Sequence, residues 1–162
     1  MPATVRRALA ADLDALIRLN EAIQSVHANL YPKQFKPRPN PASLRTFFAA
    51  RLTEIVLAEL EGLPVGYVWC EIQSRPETPF SPGRPRLYVH HLSVEPQARR
   101  RGVGAALMRY VEQEAIQRGV AEIALDVWEE NDEALAFFGT QGFAKLIVTL
   151  HKTLETPPPP AC

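Results

Sequence analysis

Apolar residues recur at two different periods along this chain of 162 residues, and the switch from one period to the other marks out its elements. Segments 4–8, 55–60, 65–73 and 86–95 alternate or run apolar and are rich in β-branched and aromatic residues, which predicts strands. Segments 12–30, 42–53, 103–118 and 132–140 carry apolar positions three and four apart, which predicts helices. Two more strands are expected over 122–128 and 143–152. The turn Glu61-Gly62-Leu63-Pro64 joins two strand patterns and predicts an antiparallel hairpin, whereas the strand-helix-strand run from 86 to 128 predicts a right-handed parallel crossover. A mixed α/β (α+β) domain with a mostly antiparallel central sheet follows. The segment 74–85 holds four prolines and a glycine and reads as a loop, and 156–162, with Pro157 to Pro160, reads as an extended tail beyond a single domain at 1–155.

Composition narrows the function classes. The length suits one domain that buries a real core without disulfides or metal. Lysine plus arginine equals aspartate plus glutamate at 18 each, so no global field recommends nucleic acid or an anionic membrane as partner. No apolar run reaches the roughly 18 residues of a membrane span, and the N-terminus lacks a signal peptide's apolar core, so a soluble cytoplasmic protein is expected. Cys70 sits in an apolar strand pattern and Cys162 ends the chain, which suggests neither metal spacing nor a disulfide framework.

Against this neutral background Arg99, Arg100 and Arg101 form a local basic patch, followed by Gly102 and Gly104. The glycines fall at a predicted helix N-terminus, where the first backbone N–H groups lack partners and the dipole is positive, so an anion can accept several hydrogen bonds at once. A dinucleotide fingerprint would need Gly or Ala where Leu107 stands, and it would open a βαβ unit early in the chain, although Asp126 lies at a tempting distance. A Walker A loop would need Gly-Lys-Ser/Thr, which is absent. A solvated basic turn ahead of an ordinary helix stays open as the alternative.

Arg99-x-x-Gly102-x-Gly104, placed after a strand ending in Val94-x-Pro96, resembles the acyl-coenzyme A loop of the Gcn5-related N-acetyltransferase (GNAT) superfamily. Val5 to Asp12 resembles that family's opening strand and first-helix cap, and Asn131-x-x-Ala134-x-x-Phe137-Phe138-x-x-x-Gly142-Phe143 resembles its second signature. The resemblance spans about 4–153 and is weakest over 27–50 and 74–85, where the family varies its acceptor site. It implies a parallel strand pair that splays apart to admit the donor, and acetyl transfer from acetyl-coenzyme A (acetyl-CoA) to an amine by direct attack in a ternary complex. It assigns the pyrophosphate to the turn comprising Arg99, Arg100, Arg101, Gly102, Val103, Gly104 and Ala105. It assigns the pantetheine arm to the main chain of Leu92 and Val94, and the cofactor lining to Asn131, Ala134, Phe137 and Phe138. Helix capping by Asn131 and core packing by the phenylalanines are the plainer readings of those residues.

Chemistry adds a proton requirement. An alkylamine with a pKa near ~10 is mostly ammonium at neutral pH, and only its free base attacks. His90 is the first candidate base, four residues before Val94, where arylalkylamine-acetylating relatives carry a histidine. His91 and Glu71 are the reserves. Strand alternation sets His90 on the side of Tyr88 and Leu92 and His91 on the side of Val89 and Ser93, so only one is expected to enter the cleft. Phe138 departs from the tyrosine that many relatives use to protonate the leaving thiolate. Either the thiolate leaves unaided, the favoured route, or a hydroxyl such as Tyr88 or Tyr31 substitutes, or catalysis is weak. Tyr31 and Phe35 are the candidate acceptor-binding residues, with Lys33, Lys36 and Arg38 beside them as repellents of polyamines or binders of a carboxylate. The acceptor is expected to be a small-molecule amine or a peptide or protein amine, and a homodimer stays open. The competing classes are an acyl-CoA-binding sensor without turnover and an unrelated α/β interaction domain.

Overall fold

A computed structural model describes residues 2–154, and the tail expected over 156–162, Cys162 included, lies outside them. In chain order the elements are β1 (Thr4–Arg7), α1 (Leu13–Leu30), α2 (Pro41–Ala49), β2 (Ile55–Leu60), β3 (Leu63–Gln73), β4 (Arg86–Val94), α3 (Val103–Gln117), β5 (Ile123–Leu125) and α4 (Asp132–Thr140). Local chemistry sets several boundaries. Asn40 caps α2 by accepting the Ser43 N–H at 3.1 Å, with Pro41 at the first helical position. Glu61 and Gly62 both adopt positive φ, 53° and 78°, as a two-residue hairpin turn matched to strand twist requires. Ahead of α1 the Asp12 carboxylate accepts the Leu9 N–H at 2.7 Å and two Arg6 N–H groups at 2.8 and 2.9 Å. That guanidinium holds the Asp12 carboxyl below the usual carboxylate range and ties β1 to the helix start.

The strands form one sheet in the order β1-β2-β3-β4-β5, antiparallel through β4, with β5 parallel to β4 across the α3 crossover. Both faces are covered. Ile55, Leu57 and Tyr67 pack with Leu16 and Leu19 of α1 and Phe48 of α2, whereas Val56, Ala58, Val68, Leu87 and Val89 pack with Leu107, Met108 and Val111 of α3. The alternation Ile55, Leu57 against Val56, Ala58 is therefore apolar on both sides, which accounts for the unbroken apolar run in β2. Cys70 belongs to the α3-side core, and burial pushes its thiol up to about 12, as an inert structural cysteine requires.

Three expectations are corrected. The helix expected over 42–53 stops at Ala49 and is followed by a short 3-10 turn at Leu52–Glu54. The strand expected over 122–128 contracts to Ile123–Leu125. The strand expected over 143–152 is not formed among the described residues: 144–154 are all exposed and none is paired with a neighbouring strand. A strand needs a partner for its N–H and C=O groups, and an apolar pattern alone does not provide one.

Candidate active site

The site begins with the parting of two strands. β5 follows β4 only from Leu87 to Val89, opposite Ile123 to Leu125, whereas β4 continues to Val94 paired with β3 alone. Past Val89 one edge of β4, over Leu92 and Val94, has no neighbouring strand among the described residues, and the Val94 carbonyl there takes a long 3.4 Å bond from Arg99 Nε. The Leu92 and Val94 side chains turn away into the α3-side core.

Below this gap lies the start of α3. Its cap residue is Gly102, in the left-handed region at φ 78°; among the described residues no side chain caps the helix, and its first turn holds no carboxylate. The N–H groups of Val103, Gly104 and Ala105 consequently have no intrahelical acceptor. Arg100 is also left-handed, at φ 59°, so conformations of opposite hand alternate from Arg100 to Gly102, the arrangement that turns successive N–H groups into one concavity. Arg100 and Arg101 are exposed beside it. Uncapped donors, a positive helix end and two exposed guanidinium groups fit a pyrophosphate.

Other residues of the expected set have structural partners. Arg99 reaches Glu133 at the start of α4, with Nη1 3.1 Å from Oε2. Asn131 caps α4, its Oδ1 accepting the Ala134 N–H at 3.1 Å, and its side-chain NH2 keeps its donors. A Cβ on Gly104 would sit 3.0 Å from Phe137, so that glycine also lets α4 approach α3. Phe138 stacks edge-on between Phe137 and Phe143, at 5.1 and 5.5 Å. Both phenylalanines lie against the core beside the gap.

The histidines depart from simple alternation. Val89 pairs with Cys70 and His91 with Trp69, which leaves His90 as the extra residue of a β-bulge. The bulge flips the phase of β4. Leu87 and Val89 before it and Leu92 and Val94 after it all face the α3-side core, while both imidazoles lie against Trp69. The His90 ring stacks on the indole at 4.0 Å, and its Nε2 lies 2.9 Å from Glu71 Oε1. An ionised carboxylate has no proton to give, so Nε2–H is the donor and Nδ1 keeps the lone pair. Glu71 is held below the usual carboxylate range by that bond and by one from Gln73. His91 is half-buried and turned toward a different partner. Its Nδ1 lies 3.0 Å from the Tyr67 hydroxyl, which donates to the buried Asn20 Oδ1 at 3.1 Å. Burial, helped by the nearby His27 and His90, pushes the His91 imidazole down to about 4.

Several neighbours of His90 carry no motif in the sequence. Tyr88 lies edge-on to it at 4.9 Å and donates its hydroxyl to Asp126 Oδ2 at 2.5 Å. Burial and that carboxylate push the Tyr88 phenol up to about 12, so it stays protonated. Two residues past Asp126, Trp128 gathers the expected acceptor residues: Tyr31 packs on it at 4.1 Å and Phe35 at 5.5 Å, with His27 against Phe35. Lys33, Lys36 and Arg38 stay exposed on the same connection. Trp69 and Glu71, two apart on β3, share a face and could have been paired by strand periodicity, whereas Asp126 and Trp128 enter only through the chain's path after β5.

Comparison with known proteins gives a consistent result. The acetyltransferase (GNAT) family matches residues 20–143. N-acetyltransferase family 8 member 3 of Mus musculus is 33% identical over 111 residues, covering 68% of this chain and 47% of that protein, so the chain spans about half the length of the curated mouse relatives it matches. Among solved structures, a tetramutant of the BH1408 protein from Bacillus halodurans superposes with a TM-score of 0.81 at 20% identity, over 93% of this chain and 99% of that one. An aminoglycoside N-acetyltransferase in complex with CoA superposes with a TM-score of 0.71 at 17% identity, over 95% of each chain. At these identities the superpositions establish the fold.

Proposed function

The chain belongs to the acetyltransferase (GNAT) family, and from that premise we propose that it transfers an acetyl group from acetyl-CoA to a primary amine by direct attack in a ternary complex. The observation that carries the reading is the parted β4–β5 pair above the uncapped, cation-flanked start of α3. Acetyl-CoA supplies an acyl group activated as a thioester. The amides of Gly102 to Ala105, with Arg100 and Arg101, hold its pyrophosphate, and the free edge of β4 at Leu92 and Val94 accepts its pantetheine arm. The Asn131 side-chain NH2, Ala134 and the rings of Phe137 and Phe138 close the α4 side.

On the acceptor side Glu71 fixes the His90 tautomer and stabilises the imidazolium, and the Trp69 stack holds the ring plane. His90 Nδ1 takes the ammonium proton, which frees the nitrogen lone pair. Burial and the Tyr67 bond argue against His91 in that role. Phe138 has no proton to give, so the coenzyme leaves as a thiolate, a tolerable leaving group with a thiol pKa near ~8.5. Tyr31, Phe35 and Trp128 offer aromatic faces to the acceptor, and the exposed Lys33, Lys36 and Arg38 disfavour polycations. A small amine with an apolar or aromatic body, or a peptide amine, is the class these residues support.

Phe138 favours a second reading, in which the domain binds acyl-CoA without turnover. A screen for acetyl-CoA-dependent thiol release across a broad amine panel, repeated with His90→Ala, separates the two. Turnover that falls about 100-fold or more in the variant, with the KM for acetyl-CoA unchanged, supports transfer with His90 as base. Retained turnover removes His90, and coenzyme binding with no release on any amine favours the sensor.

A further inference from the structure

Trp69 is the ring on which the proposed base rests, and the group that holds that ring lies outside the expected site residues. His90, as the extra residue of the β4 bulge, takes no place in the β3 register, so ladder pairing does not orient its side chain. The indole does: the two rings stack at 4.0 Å and lie 16° from parallel. Trp69 is itself held on two sides. Phe47 of α2 meets it edge-on at 5.0 Å, and Glu54, in the 3-10 turn before β2, accepts the indole N–H on Oε2 at 2.9 Å. That turn is tied back to α2, with the Glu54 N–H donating to the Arg51 carbonyl at 2.8 Å and Arg51 Nη1 donating to the Phe47 carbonyl at 3.0 Å. Packing against Phe47 decides where the indole sits, whereas a charge-assisted bond at its one donor also fixes the rotation of its plane.

We propose that Glu54 is a positioning residue for acetyl transfer: its bond to the Trp69 N–H sets the indole plane on which His90 stacks, and through it the direction of the His90 Nδ1 lone pair. The inference rests on His90 as the base. An indole face held parallel to the imidazole also favours the imidazolium that forms when Nδ1 takes the ammonium proton. Other groups face His90: Glu71 on its Nε2, His91 on the same strand, and Tyr88 with Asp126 behind it and Arg86 over its ring. Arg51 stacks on Phe47 at 3.9 Å and lies 5.4 Å from the indole. None of these groups bonds to the indole N–H, so replacing Glu54 leaves them in place.

The test compares the wild type with Glu54→Ala, Glu54→Gln, Trp69→Phe and the double variant Glu54→Ala/Trp69→Phe. Nuclear Overhauser contacts between the His90 ring and the Trp69 indole protons, which need no turnover, should be present in the wild type and in Glu54→Gln and lost in Glu54→Ala. In steady-state kinetics on the amine that the panel selects, Glu54→Ala should lower kcat about tenfold with the KM for acetyl-CoA unchanged. The acidic limb of its pH profile should move down by about half a pH unit, the worth of a cation–π contact at a partly exposed site. Glu54→Gln keeps an acceptor for the N–H and should retain kcat within about threefold. In the Trp69→Phe background, which has no indole N–H, Glu54→Ala should change nothing further. Ring contacts that survive in Glu54→Ala overturn the proposal, as do a wild-type pH profile in that variant, a glutamine variant that falls as far as the alanine one, or a full Glu54→Ala effect in the Trp69→Phe background. If His90→Ala keeps its turnover, the base reading itself fails and this inference falls with it.

Discussion

Two adjacent histidines on one strand have opposite fates, and the difference is set by what each ring touches. His90 is stacked on Trp69, partly exposed and bonded to the Glu71 carboxylate, the setting of the proposed base. His91 is half-buried with its Nδ1 on a neutral phenol. A histidine whose folded-state pKa is depressed to about 4 binds its proton more readily in the unfolded chain, whose value is near ~6.5. Its contribution to stability is complete above pH ~6.5 and is lost as pH falls toward 4, a loss of up to about 3 kcal/mol. Chemical denaturation between pH 7 and 4 should show that slope, and His91→Gln should flatten it. An unchanged slope in the variant would contradict the assignment. The sequence offered His90 as the candidate base with His91 and Glu71 in reserve, but alternation could not set the two rings apart, because the bulge at His90 is a pairing event that depends on Trp69 and Cys70 of β3.

At the scale of elements, the same residue type can finish a helix and touch a ligand, and Asn131 illustrates how the two are told apart. Its carbonyl oxygen is used by the Ala134 N–H, so the cap needs an acceptor and the proposed coenzyme contact needs the NH2. Asn131→Ala should lose both, about 1 kcal/mol of stability or a few degrees of Tm together with a higher KM for acetyl-CoA. Asn131→Asp should keep the cap and raise the KM alone. If it keeps both, the amide has no ligand role. The helix starts were legible because capping is local: Asn40-Pro41 and Asn131 announce α2 and α4 in the sequence. The dual use of Gly104 was not legible, since its contact with Phe137 joins two helices that the sequence keeps apart.

For the whole molecule, the arrangement is a five-stranded sheet opened at one seam, with the donor expected on the α3 side and the acceptor beside the Trp69–His90–Tyr88 group. Periodicity supplied the strands that have neighbours and the crossover that makes β4 and β5 parallel. It failed at 143–152, where the apolar run is present and no strand among the described residues pairs with it. The acceptor wall was legible only in part, because Tyr31 and Phe35 acquire their setting from Trp128, nearly a hundred residues away. The account as a whole rests on the coenzyme being held at the start of α3, and calorimetric titration of acetyl-CoA into the wild type and into Arg100→Glu/Arg101→Glu tests that most directly. Both side chains are exposed, so the double variant should fold as the wild type does. The predicted result is one site per chain in the wild type, with affinity reduced at least tenfold and a shallower salt dependence in the variant. No binding to the wild type, or equal affinity in the two proteins, would contradict the account.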